Sequence, residues 1–147
     1  MYNDGRWKIY EKPRAFPRAW VVHQAIQAPS PEVVLERVTA GNSDLRRVAI
    51  LSSPPPAGLG QEPSSAEDVR FQSYAANRIE LNVTNERPGL LVLSEAEYPG
   101  WRATVNGHSI PILRVEDALR GIHRGIGPQR HRPRLCPCDT WEVSSAP

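Results

Sequence analysis

The stretch from Leu90 to Leu113 constrains this chain more than any other. It predicts three β-strands. Leu90 to Ser94 is apolar on both faces, as a strand inside a sandwich would be. Tyr98-Pro99-Gly100 interrupts it. Trp101 to Val105 then alternates, and Asn106-Gly107 supplies the two residues of a type I′ hairpin, where both positions need φ > 0. His108 to Leu113 returns. A two-residue turn pairs Val105 with His108, Ala103 with Ile110 and Trp101 with Ile112, all on one largely apolar face. Arg102 and Thr104 fall on the other face, opposite Pro111 and Ser109. A slip of one residue would reverse both faces, so the register is well specified.

At 147 residues the chain suits one domain around one core. A net charge of +2 gives no basis for attraction to nucleic acid or to an anionic membrane surface, and no nucleic-acid partner is expected. The 15 prolines are about twice the usual share and favour short strands with irregular connections. No apolar run approaches the ~18 residues of a membrane span, and the N-terminus lacks the apolar segment of a signal peptide. A soluble chain without an export signal is therefore expected. Cys136 and Cys138 flank a single proline, so a disulfide between them would be strained. Their spacing matches no usual zinc pattern. No metal and no cofactor are expected.

Residues 1–18 read as an extended N-terminal segment, in which Trp7 and Tyr10 are candidates to pack on a sheet edge. Residues 19–122 read as the folded domain. Ala19 to Ala28 alternates as one strand. Ser30-Pro31-Glu32 then opens the one convincing helix, at residues 31–40: Ser30 suits the N-cap, Pro31 the first position, and Glu32 the positive end of the dipole. Val34, Leu35 and Val38 form its apolar stripe, and Gly41 is the expected stop. Arg47 to Ser52 is a short strand. Residues 53–68, rich in proline, glycine and serine, predict an exposed loop. Val69 to Tyr74 and Arg78 to Thr84 form a strand pair, the second with Ile79, Leu81 and Val83 inward. Short strands at close spacing predict a mainly β chain, an antiparallel β-sandwich of immunoglobulin-like or jelly-roll-like type with one short α-helix. Residues 123–147 crowd arginine, proline, histidine and both cysteines without a strand or helix period, and read as an irregular tail.

Few residues carry chemistry. Glu95 and Glu97 would face the same way in an extended segment, but a glycosidase needs its two carboxylates at a defined separation across a substrate. Tyr98 and Trp101, with Arg102 beside them, have the makings of an aromatic surface for a sugar ring. The pairing of Trp101 with Ile112 draws that residue towards the core. Glu97, Tyr98 and Arg102 remain as the candidate carbohydrate-binding residues, and no catalytic residue is assigned.

Two stretches resemble a known family. Tyr10 to Val22, with its Pro17-Arg18-Ala19-Trp20 element, is similar to the opening of the C-terminal soluble region of YfhO-type bacterial integral membrane proteins. Leu91 to Ser94, Tyr98 to Ala103 with Tyr98-Pro99-Gly100-Trp101, Val105-Asn106-Gly107 and Leu119 to Ile122 resemble the strand-and-hairpin core of the same region. The resemblance runs from about Trp7 to Ile122. It implies the extracytoplasmic β-sandwich of a much larger membrane protein of glycosyltransferase type, which glycosylates cell-envelope polymers or lipids. The catalytic residues would then belong to the membrane part. The sandwich would be a non-catalytic accessory domain on the extracytoplasmic face of the bacterial membrane, its partners the membrane portion of the parent and a carbohydrate or glycolipid. The alternative is a free-standing carbohydrate-binding or adhesion-like module. Such domains continue after the Arg-Gly-Ile segment with a Pro-Ala-Gly turn and a closing strand rich in valine and phenylalanine. Residues 124–147 depart from that pattern, which suggests a frameshifted or truncated gene and predicts a sandwich lacking one strand.

Overall fold

A computed structural model describes residues 2–3, 8–10, 12–13, 15–60, 62–63, 67–124 and 139–145. The chain is mainly β with one short helix among the described residues, and its strands form a sandwich of two sheets in which antiparallel pairs dominate. Among the described residues, two short strands, β1 (Tyr2–Asn3) and β2 (Lys8–Ile9), pair only with each other. Next come β3 (Ala19–Val22), β4 (Gln24–Gln27), the helix α1 (Pro31–Ala40) and β5 (Val48–Leu51). The strands β6 (Asp68–Ala75), β7 (Arg78–Thr84), β8 (Gly89–Ala96) and β9 (Trp101–Val105) follow. The last are β10 (His108–Ile110), β11 (Ile112–Val115), β12 (Leu119–Arg124) and β13 (Asp139–Ser145). One sheet runs β10-β9-β13-β7-β6 and the other β3-β8-β12-β11-β5-β4.

The second sheet is rolled. β3 and β4 sit at its opposite edges although His23 alone separates them. Six flat strands would hold those edges about 24 Å apart, at ~4.8 Å per spacing. Two peptide units span at most about 7 Å. The sheet therefore curls until its edges meet, and all six strands send residues into the space it encloses. Trp20, Val22, Ala49, Leu51, Leu90, Val92 and Val115 are buried there, with Ala25, Leu113 and Leu119 packed against them. The opposite faces of β3, β8 and β12 pack on the five-stranded sheet through Ala19, Leu91, Leu93 and Ile122 against Ile79, Leu81, Val83, Ala103, Val105 and Val143. A third cluster joins α1 to the outside of the curl through Ala28, Val34 and Ile50.

The single strand expected over 19–28 breaks at His23. The bend there is held by the His23 side chain, 2.7 Å from the Pro88 carbonyl oxygen through Nδ1 and 2.5 Å from a Glu67 carboxylate oxygen through Nε2. β4 then runs parallel to β5, Gln24 opposite Val48, and α1 makes the crossover that a parallel pair requires. The hairpin keeps its predicted register for Val105–His108 and Ala103–Ile110, with Asn106 at φ 51° and Gly107 at φ 80°. The Trp101–Ile112 pair does not form. Pro111 has no N–H to give the ladder, and the chain changes sheets there, so that Ile112 pairs with Ile122.

The helix has the predicted bounds, with Ser30 extended at the N-cap and Gly41 left-handed at φ 65°. Of its expected stripe Val34 is buried, but Leu35 is 64% exposed. Tyr10 is exposed rather than packed on an edge, and Trp7 lies outside the described residues. The irregular tail expected from 123 fails on both sides of the undescribed residues 125–138. Residues 123–124 complete β12, and residues 139–145 form β13, inserted between β7 and β9. The expectation of a sandwich short of one strand fails with it, because β13 is the middle strand of its sheet. Cys136 and Cys138 are among the undescribed residues.

Candidate functional site

The loop from Glu97 to Gly100 leaves β8 and enters β9 at one end of the sandwich. Beneath it the pairing of β12 with β8 is irregular. Leu119 faces Ala96, but the next residue, Arg120, faces Leu93. Bulges re-aim side chains, and this one lies where Arg120 enters the space between the sheets. Arg120 follows the same alternation as Ile122, which belongs to the inter-sheet core. Its guanidinium carbon sits 3.7 Å from the centroid of the Trp101 ring and 5.3 Å from that of Tyr98. The two rings meet edge to face, 6.1 Å apart at 87°. Arg120 is only 2% exposed, whereas Tyr98 is 53% exposed. Tyr98 is thus the outward half of a stack whose buried half is a cation on an indole, a contact worth about 2 kcal/mol when desolvated.

Two further arginines flank this stack, each engaged with a carboxylate. Arg114, on β11, reaches the Glu97 carboxylate through Nη2 at 2.9 Å and Nε at 3.1 Å, with Asp117 at 3.9 Å beyond. Arg18 lies 3.6 Å from the Glu95 carboxylate and donates to the Tyr74 hydroxyl at 2.8 Å. The Tyr74 hydroxyl in turn donates to Glu95, and that hydrogen bond pushes the phenol above its ordinary range. Burial pushes the Arg120 guanidinium down, with Tyr98, Glu95 and Glu97 opposing the shift.

Of the sequence candidates, Glu97 and Tyr98 therefore lie in one place. Arg102 does not join them. It follows Trp101 on β9, so its side chain leaves the opposite face of the strand, and it is exposed. Trp101 packs against the inter-sheet core, as its pattern predicts, but through the Arg120 contact it also belongs to the site. Sequence reasoning missed Arg120, Arg114 and Arg18. The alternation of β12 offers a signal for the first, since an arginine two residues before Ile122 on a core-facing register is out of place. Glu95 and Glu97 are each held by a separate arginine.

A concavity lies between α1 and the β11–β12 turn. It is a groove of about 340 Å³ lined by Val34, Leu35, Val38 and residues 116–118. Glu116 has φ 51°, donates its backbone N–H to the Ile50 carbonyl at 2.7 Å, and buries one carboxylate oxygen without a partner. Burial raises its carboxyl from an ordinary 4.5 to about 7. Between those values the folded chain holds a proton that the unfolded chain has released, so stability falls as pH rises from 4.5 to 7. The urea midpoint is expected to drop across that window. Glu116→Gln, neutral throughout, is expected to flatten the drop.

No helix among the described residues is long and apolar enough to cross a membrane, and no group of three His, Cys, Asp or Glu side chains among them is arranged to hold a metal ion. No family model, curated protein or solved structure matches the chain.

Proposed function

We propose that this chain is a non-catalytic accessory sandwich of the kind that YfhO-type membrane glycosyltransferases carry on the extracytoplasmic face, and that it contacts carbohydrate through the Tyr98 rim. The observation that carries the contact is the exposed Tyr98 ring, held edge-on by Trp101 and backed by Arg120. A ring fixed in this way offers an apolar surface at little cost in side-chain entropy. Its neighbours Glu97 and Arg114 supply acceptors and donors at the same end of the sandwich. The membrane parentage rests on the resemblance between Trp7 and Ile122. It predicts a coding frame for membrane spans joined to this one at the locus, and a locus without such a frame contradicts it.

Binding is tested with neutral cell-envelope oligosaccharides. Tyr98→Ala is expected to weaken binding about five- to tenfold, corresponding to the ~1–1.4 kcal/mol of an aromatic contact. The thermal midpoint should fall by no more than about 2–4 °C, because the ring is half in solvent and loses only its contacts to Trp101 and Arg120. Equal binding by the parent chain and the variant would remove the rim from the account.

A further inference from the structure

We propose that Arg120 and the indole N–H of Trp101 form a carboxylate-binding subsite beneath Tyr98, suited to the acidic group of a uronic-acid saccharide. The subsite rests on the reading of Tyr98 as a sugar surface and names the class of sugar. Arg120 is 98% withdrawn from solvent, yet two of its nitrogens, Nε and Nη1, have no hydrogen-bond partner. The Trp101 Nε1 is also buried and has none. Stacking on the indole satisfies the face of a guanidinium but not its in-plane N–H groups; the Tyr98 hydroxyl also acts on the guanidinium, while Nε and Nη1 remain able to donate to an acceptor.

The charge is as incomplete as the hydrogen bonding. Glu95 and Glu97 are the carboxylates that act on Arg120, but Glu95 is bound by Arg18 and Tyr74, and Glu97 by Arg114. No ion pair to Arg120 forms among the described residues. A buried cation without a contacting counter-ion is a costly arrangement, and a monovalent anion both balances the charge and accepts from the idle donors. A carboxylate fits on both counts, with one negative charge and two coplanar oxygens for a guanidinium edge. Tyr98, half exposed and with its ring centroid 5.3 Å from the guanidinium carbon, lies on a loop ending at Gly100, φ 102°, and is the side chain that must turn aside for a carboxylate to reach those donors. A sugar ring against the outer face of Tyr98 would carry its carboxylate to the edge of that ring.

The test uses the whole chain, labelled with ¹⁵N, and three probes: methyl glucuronide, methyl glucoside and sodium acetate. The Trp101 indole N–H resonance is assigned with Trp101→Phe. The glucuronide is expected to move that resonance and to bind at least tenfold more tightly than the glucoside, and Arg120→Gln should erase the difference. Equal affinity for the two glycosides in the parent chain, a comparison that needs no variant, overturns the subsite and leaves the Tyr98 surface standing. Acetate moving the resonance while neither glycoside binds supports the carboxylate subsite and overturns the Tyr98 surface. If none of the three probes moves it, both are overturned.

Discussion

Val143→Asp is expected to leave no cooperative unfolding transition at 25 °C. Val143 is 0% exposed and lies on β13, opposite Ile79 on one side and Ala103 on the other. Its side chain belongs to the core shared by the two sheets. A carboxylate placed there has no partner, and an uncompensated buried charge costs several kcal/mol even after relaxation. A domain of this size has ~5–15 kcal/mol in total. Far-UV circular dichroism in a urea titration reads the result. Glu142→Gln is the matched control: Glu142 is half-buried and near Arg78, 3.5 Å away, in an exposed ion pair worth at most about 1 kcal/mol. A Val143→Asp chain that unfolds like its parent would place residues 139–145 outside the core.

Gly121→Ala is expected to cost about 2–3 kcal/mol, the upper part of the range for overpacking a filled core. The reason is the rolled sheet. A Cβ at Gly121 would meet the Val115 Cγ2 at 2.5 Å and the Leu90 Cδ1 at 3.2 Å, with the Leu113 carbonyl oxygen at 3.4 Å. Val115 and Leu90 are both fully buried inside the curl, so neither has solvent to move into. A flat sheet would leave room above β12, and the same substitution would then be close to neutral. The shift of the urea midpoint at constant slope measures the difference. Recovery by Val115→Ala in the double variant would locate the clash, since residues in contact depart from additivity.

The parts of this fold that were legible in the sequence are those where local chemistry and tertiary context agree. Asn106-Gly107 permits positive φ at both positions, and the hairpin formed in the register read from it. Pro31 and Gly41 punctuate α1, and Ile79, Leu81 and Val83 are buried as their alternation requires. The parts that were not legible depend on contacts far along the chain. The break at His23 is enforced by Pro88 and Glu67, 65 and 44 residues away, while the local pattern continues as a strand. The change of sheet at Pro111 was signalled by the missing N–H, which the apolar pattern of Ile110 and Ile112 outweighed. β13 alternates over only a few residues beside a segment crowded with Arg, Pro and Cys, and its burial comes from β7 and β9. At the site, Glu97 is legible as a carboxylate two residues from Glu95, and Tyr98 as an aromatic beside Trp101. Arg120 is not, because its partners Tyr98 and Trp101 are some twenty residues upstream in another strand and loop.

The contact between the Tyr98 rim and carbohydrate is tested most directly by mapping amide shifts of the ¹⁵N-labelled chain as a neutral cell-envelope oligosaccharide is added. Saturable shifts are expected at Glu97, Tyr98 and Gly100 and at the Trp101 indole, with Arg102 and the Leu35–Glu116 groove unmoved. Shifts confined to that groove, or none at saturating oligosaccharide, would contradict it.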